Sequence, residues 1–382
     1  MVEYYPVIAG PMVYVRNMPL AYRWWRRECP VYHPYLLVSY GQILPAIGAK
    51  GDRQYLYNYT RYLELTDDVK IMLDSGGFQV VSRNMELDPV EVLEWQLANA
   101  RPNDIIVPLD LPPPPDTTSL ELVETLAQKT ARNTELWLKA VDRYGGNLRV
   151  VVPIHGLWKE AIDVWVRYMK DYVQVTGMVA FGGLAFKHIN KLAYVSRLLM
   201  RVKPLLDLNV KYIHVFGAGG PFKLAYLFFF NNHTGIAVST DSSDTSLFVA
   251  YGRAVFPTQP TKTIARFFKR GDISVTKLIC HCPACKTFSD GYMYRSVRYT
   301  KEKHYVVTLH NLFQSLQYYD KLVWYASLGK SEDYLIKKYK VGFTAVVMTK
   351  EYLSRGEITG LRVDREQTKP SSLGEGGLSR WL

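Results

Sequence analysis

Four aspartates carry the residue types most able to do chemistry in this chain. Asp74 opens the run Asp74-Ser75-Gly76-Gly77-Phe78-Gln79, Asp110 precedes the prolines of 112–115, and Asp241 and Asp244 bracket Ser242-Ser243. A carboxylate among apolar residues is costly to bury unless it is paired or hydrogen-bonded, so several at the ends of apolar runs point to function. Two carboxylates facing a glycosidic carbon suit displacement with retention, in which one attacks and the other manages protons. A third can hold a base through its donor edge. The plainer role of capping a helix fits Asp116. It does not fit Asp74, because 75–79 is built for close contact with a ligand.

Three of the four cysteines, Cys280, Cys282 and Cys285, have the spacing C-x-C-x2-C. That clustering suits a metal site in a reducing compartment better than a disulfide framework. Zinc takes four tetrahedral ligands, and thiolates plus an imidazole supply them; four protein ligands leave no open position, so such a zinc is structural. His310 is the preferred fourth ligand, as the residue opening a helix expected at 311–328, with His281 and His304 as competitors. Cys29 is expected to be an ordinary buried thiol.

The elements that must position these groups are legible as apolar, β-branched or aromatic runs at 6–9, 35–40, 69–73, 104–109, 148–154, 177–181, 210–216 and 235–240. Amphipathic helical stretches follow at 89–100, 118–144, 157–173, 190–202 and 221–231. Alternating strand and helix implies parallel βα units, and eight strands suggest a closed (β/α)8 TIM barrel, with an open doubly wound sheet as the runner-up. A barrel places chemistry at the C-terminal ends of its strands. Those ends carry Asp74, Asp110, His155-Gly156, Gly182-Gly183-Leu184, Gly217 and Asp241 to Asp244. The glycines let a flat ligand approach the backbone. The expected division is a barrel over 1–262, a zinc-binding subdomain with helices over 263–350, and a loosely ordered tail over 351–382.

Composition limits the function classes. Hydrophobic residues make up 48% and charged residues 21%, which excludes wholesale disorder. The longest apolar run, 224–230, is far short of the roughly 20 residues that span a bilayer. The first residues lack a basic flank followed by an apolar stretch. A cytoplasmic protein without a membrane partner is therefore expected. The net charge of +12 suggests a polyanionic partner. Lys286, Arg295, Arg298, Lys301 and Lys303 crowd the cysteine segment, interleaved with Tyr292, Tyr294 and Tyr299, and Arg266, Lys269 and Arg270 precede it. Cations position phosphates and aromatics stack on exposed bases.

The motifs Asp-Ser-Gly-Gly-Phe-Gln at 74–79, Gly-Gly-Leu-Ala at 182–185 and C-x-C-x2-C with His-Asn-Leu at 280–312 together resemble the tRNA-guanine transglycosylases, over about residues 69–328. The resemblance implies a zinc-carrying TIM barrel that exchanges guanine for a free 7-deazaguanine base, preQ0 or preQ1, through a covalent aspartyl-glycosyl intermediate. It implies that Asp74 contacts the base and assists proton transfer, with Ser75, Gly76, Phe78 and Gln79 beside it. It gives Asp110 the Watson–Crick edge of guanine, makes Gly182, Gly183 and Leu184 the backbone lining of the base pocket, and packs Phe216 and Gly217 near the base. The nucleophile belongs at the end of the eighth strand. Asp241 is favoured because it directly follows the apolar run, while Asp244 keeps the family's spacing to Gly252-Arg253.

Two departures bear on substrate. His155 stands where the family has Gln before Gly, and the Pro-Thr-Arg run after the nucleophile is absent. The length is also expected to leave no room for the extra RNA-binding domains of archaeal enzymes. A compact relative that modifies DNA has an Asp-Ser-Ser-like end to its eighth strand, so tRNA and DNA both stay open as partners. A homodimer is a further expectation carried by the family alone.

Overall fold

The structure is a computed structural model that describes residues 1–145, 147–184, 190–250, 253–255, 264–266, 280–289 and 301–355. Nine strands form the frame: β1 Glu3–Pro6, β2 Tyr35–Ser39, β3 Lys70–Asp74, β4 Ile105–Ile106, β5 Arg149–Val150, β6 Val152–Ile154, β7 Met178–Phe181, β8 Tyr212–Val215 and β9 Ala237–Ser242. They make two parallel sheets, ordered β1-β9-β8-β7-β6 and β2-β3-β4-β5. The sheets adjoin at both margins. Val7 bridges Leu37 in parallel and Ile8 N donates to Leu37 O at 3.0 Å; Val151 N donates to Ile106 O at 3.1 Å. A short antiparallel pair, Arg253–Val255 with Ile264–Arg266, stands apart from both.

Each apolar run contains a strand, with two adjustments. The first strand begins three residues earlier than the run at 6–9, because its partner is β9 in the register Glu3↔Ser239 to Pro6↔Ser242. The run at 148–154 is interrupted at Val151. The helices Pro89–Asn99, Leu120–Tyr144, Lys159–Thr176, Lys191–Val202 and Pro221–Thr234 occupy the amphipathic stretches. Three begin with side-chain caps from Asp88, Ser119 and Asn190. Among the described residues no helix is long and apolar enough to cross a membrane.

Burial separates two cores. The larger packs helices against the outer faces of the strands. The smaller gathers Tyr5, Leu37, Met72, Ile105, Val151, Met178, Ala180 and Tyr212, drawn from both sheets. Side chains alternate faces along a strand. The residues two or four further on from this inner set are therefore Asp74 after Met72, His155 after Val151, His214 after Tyr212 and Gly182 after Ala180. Asp241, registered opposite Tyr5, follows Ser239 in the same way. The polar groups thus cap the inner core at one end of the strands.

The C-terminal region is more helical than its sequence suggested. Lys301–Ser327 is one helix, so His310 sits inside it rather than opening it. Ser331–Lys338 and Gly342–Arg355 follow, the latter including residues 351–355. Residues 356–382 lie outside the described residues.

Candidate active site and metal centre

Asp74 ends β3 and is half-buried. Gly76 N donates to its Oδ2 at 3.2 Å. Burial, reinforced by the charges of Asp110 and Asp241, pushes its carboxyl up to about 7, against opposing hydrogen bonds from Ser39 and Gly76. Three acidic side chains from β3, the segment after β4, and β9 therefore share one electrostatic neighbourhood.

Asp110 is buried beyond the short β4. Its Oδ1 accepts from Ser75 Oγ at 3.1 Å, and its Oδ2 lies 2.8 Å from His155 Nε2. The long helix fixes the backbone on either side of it: Asn133 Nδ2 donates to Leu109 O at 2.8 Å and Leu111 N donates to Thr130 Oγ1 at 3.1 Å. Buried Gln96 holds the ends of β3 and β4 together by donating to Leu73 O and Val107 O, both at 2.9 Å. A Cβ at Gly77 would overlap the Asp110 carboxylate. That position needs glycine so that the 74–79 segment can lie against Asp110.

His155 follows the end of β6. The structure gives its Nε2 to Asp110 and leaves the buried Nδ1 without a protein partner among the described residues. Its ring stands edge-on to Trp165 with centroids 4.8 Å apart, and a Cβ at Gly182 would overlap it. Behind this pair lies Arg201, wholly buried, donating to Gly156 O and, at 3.3 Å, to Gly182 O. The guanidinium ties together the loops that follow β6 and β7.

Gly183 takes φ +75°, and Leu184 is buried with its carbonyl accepting from Lys223 Nζ at 2.8 Å. Burial lowers the Lys223 ammonium to about 8, and Asp244 partly offsets this. Phe78 is 58% exposed while Gln79 is buried and lies 3.5 Å from Ser39 Oγ, so the 74–79 segment turns its aromatic ring outward.

The two strand-nine candidates separate clearly in position. Asp241 is 9% exposed on the inner face of β9, and its Oδ1 accepts from Gly217 N at 2.7 Å and faces His214 Nε2 at 3.3 Å. Asp244 is exposed, three residues on, in the first turn of the helix Asp244–Ala250, where its N donates to Ser242 Oγ. Phe216 packs edge-on against the His214 ring at 4.6 Å, and Ala218 N donates to Thr240 Oγ1, which pins the 216–218 turn onto β9.

Cys280, Cys282, Cys285 and His310 converge, with their ligand atoms all within 4.8 Å of one another. His310 Nδ1 stands 3.3, 3.4 and 3.5 Å from the three sulfurs. Metal bonds of about 2.3 Å to sulfur and about 2.0 Å to nitrogen make a tetrahedron whose N···S edge is about 3.5 Å. The donor set therefore fits one four-coordinate metal ion. Of the competing ligands, His281 is exposed and His304 is buried 3.1 Å from Ser246 Oγ. Cys29 is a buried free thiol, pushed up to about 12 by burial. Of the expected phosphate-contacting residues, Lys286 and Lys301 are exposed at helix positions. Arg266 is in a strand and Lys303 in a helix. Lys269, Arg270, Tyr292, Tyr294, Arg295, Arg298 and Tyr299 lie outside the described residues.

The model of the queuine tRNA-ribosyltransferase family matches residues 60–322, which include the candidate aspartates and the three clustered cysteines. The chain belongs to this family. Among curated relatives it is similar to the tRNA-guanine(15) transglycosylase of Archaeoglobus fulgidus, 26% identical over 269 residues, covering 66% of this chain and 48% of that protein. The Methanosarcina mazei enzyme of the same name is 25% identical over 256 residues, covering 64% and 45%. That of Haloarcula marismortui is 28% identical over 224 residues, covering 57% and 40%. The chain spans about half the length, or less, of the curated relatives it matches.

Several residues that shape this ribosyltransferase-family site escaped the sequence reading: Ser39, Gln96, Asn133, Arg201, His214 and Lys223. His214 carried a usable signal, since it interrupts an otherwise apolar run. The others are ordinary polar residues on helices or strand ends, and only the tertiary contacts single them out.

Proposed function

We propose that the chain exchanges guanine for a 7-deazaguanine in tRNA by double displacement at C1′ of the ribose. One Asp241 carboxylate oxygen bonds to C1′ as the C1′–N9 bond breaks. The departing guanine takes up a proton, and the incoming base later gives one up before its nitrogen displaces Asp241. Asp74 is the group suited to both transfers, because a carboxyl poised near 7 holds or yields a proton at neutral pH. Asp110, oriented by Ser75 and His155, would accept from the base's donor edge, with Gly182, Gly183 and Leu184 as the floor beneath it.

The observation that supports this reading is that Asp110 and Asp241 both act on Asp74, so the three carboxyls share one electrostatic neighbourhood at the ends of their strands. Closure of the two sheets into one eight-stranded barrel belongs to the same reading. It is supported by the bridges at both margins and by an inner core fed from both sheets. Zinc is the metal best suited to three thiolates and an imidazole, and it would serve structure rather than the reaction. The curated relatives, all named for tRNA, favour RNA over DNA.

The test is incorporation of labelled guanine into bulk tRNA and into duplex DNA, with trapping of the covalent adduct. Wild type should label tRNA, Asp244→Asn should still form adduct, and Asp241→Asn should not. Labelling of DNA alone would move the substrate, and adduct formation by Asp241→Asn would overturn the assignment of the nucleophile.

A further inference from the structure

Behind Asp241 a line of polar groups runs back through the inner core. His214 Nε2 lies 3.3 Å from Asp241 Oδ1, His214 Nδ1 lies 2.7 Å from Ser239 Oγ, and Ser239 Oγ lies 2.5 Å from Tyr212 Oη. His214 and Ser239 are wholly buried and Tyr212 is nearly so. The rings of Tyr5 and Phe216 stand edge-on to the imidazole and hold its plane.

The chemistry of these groups orients the line. An ionised carboxylate only accepts, so His214 Nε2 must carry the hydrogen. A neutral imidazole then presents Nδ1 as an acceptor, and the Ser239 hydroxyl is the donor at hand. Ser239, its hydrogen so used, accepts from Tyr212, whose phenol burial keeps protonated. Gly217 N adds a second donor to the same carboxylate oxygen. Both donors meet Oδ1, and none among the described residues meets Oδ2.

We propose that Tyr212, Ser239 and His214 form a one-way donor relay that grips Asp241 by Oδ1 and presents Oδ2 to the sugar, making His214 a positioning residue for the nucleophile. This rests on Asp241 being the nucleophile, and it adds which oxygen attacks and what aims it. The flanking ionisable groups are Tyr5 on β1, Tyr212 on β8 and Asp241 on β9, and the charge of Asp241 acts in turn on Asp74 at the end of β3.

The relay can be read without activity. Nitrogen-15 spectra of histidine-labelled protein, with the His214 signals assigned by their loss in His214→Gln, should show the Nε2–H tautomer in wild type. Ser239→Ala should give a tautomer mixture, and Ser239→Thr, which keeps the hydroxyl, should restore the single form. A cationic ring or an Nδ1–H tautomer in wild type would overturn the relay, as would a Ser239→Ala spectrum unchanged from wild type. In exchange assays kcat should fall about 10- to 100-fold in His214→Ala with KM within about threefold, and His214→Gln, which keeps a donor near Oδ1, should recover most of it. A loss confined to KM, or His214→Gln as impaired as His214→Ala, would contradict the positioning role. An Asp241→Asn protein that still formed adduct would instead remove the nucleophile assignment and leave the spectra standing.

Discussion

In the proposed function Asp74 would carry protons, because burial and the charges of Asp110 and Asp241 oppose its ionisation. Its folded value, about 7, lies above the 3.8 of a free aspartate. Its contribution to stability is therefore complete below about pH 4 and is lost as the pH climbs through 7. Full ionisation opposes folding by up to roughly 4 kcal/mol, and by less where solvent reaches the group. Asp74→Asn should thus melt at a higher temperature than wild type at pH 8 and show no such advantage at pH 4. The same variant should exchange guanine at least about 100-fold more slowly at pH 7. Equal melting curves at pH 8 would mean that the three acids do not crowd one another. Asp74 and Asp110 were legible at this scale because each ends an apolar run beside glycine or proline. His155 was legible as a residue, but its contact with Asp110 was not, because the sequence does not show where its Nε2 points.

Among the elements, the strands were the most legible. Each is a β-branched or aromatic run whose inner and outer faces are both covered, so hydrophobicity alone marks it. The short helices Tyr40–Ile47, Arg53–Tyr57, Tyr59–Leu63 and Gly77–Arg83 went unseen. Pro45 interrupts the first, and the next two are too brief for a 3.6-residue period to show. The helix Lys301–Ser327 was placed ten residues late because its charged first turns resemble a loop. That helix bears on the site as well as on the metal. Asn311, next to His310, donates to Thr245 O at 3.1 Å, and His304 reaches Ser246, which donates to Ala9 O. The metal knuckle is thereby joined to the segment that follows Asp241. Stripping the metal with a chelator should lower the melting temperature and the exchange rate together, and adding zinc back should restore both. Retained exchange in protein shown to be metal-free would detach the knuckle from the site.

For the whole molecule, charge and strand register matter most. If the protein binds nucleic acid as proposed, its net charge of +12 predicts phosphate contacts, each of which releases counterions. tRNA binding should weaken by roughly a thousandfold or more between 50 and 200 mM salt if six or more phosphates are engaged. A flat salt response would contradict a phosphate-tracking surface. The strand count suggested a closed barrel, but the meeting of first and last strands depends on register, which no local pattern encodes. The pairing of β1 with β9 sets Tyr5 beside Asp241, two stretches of chain that leave the ribosome far apart in time. A nascent chain can complete every earlier βα unit and still have no seat for Asp241. On the proposed function, guanine exchange would have to wait until β9 has been made and paired with β1, and partial unravelling of the first few residues would be expected to remove it.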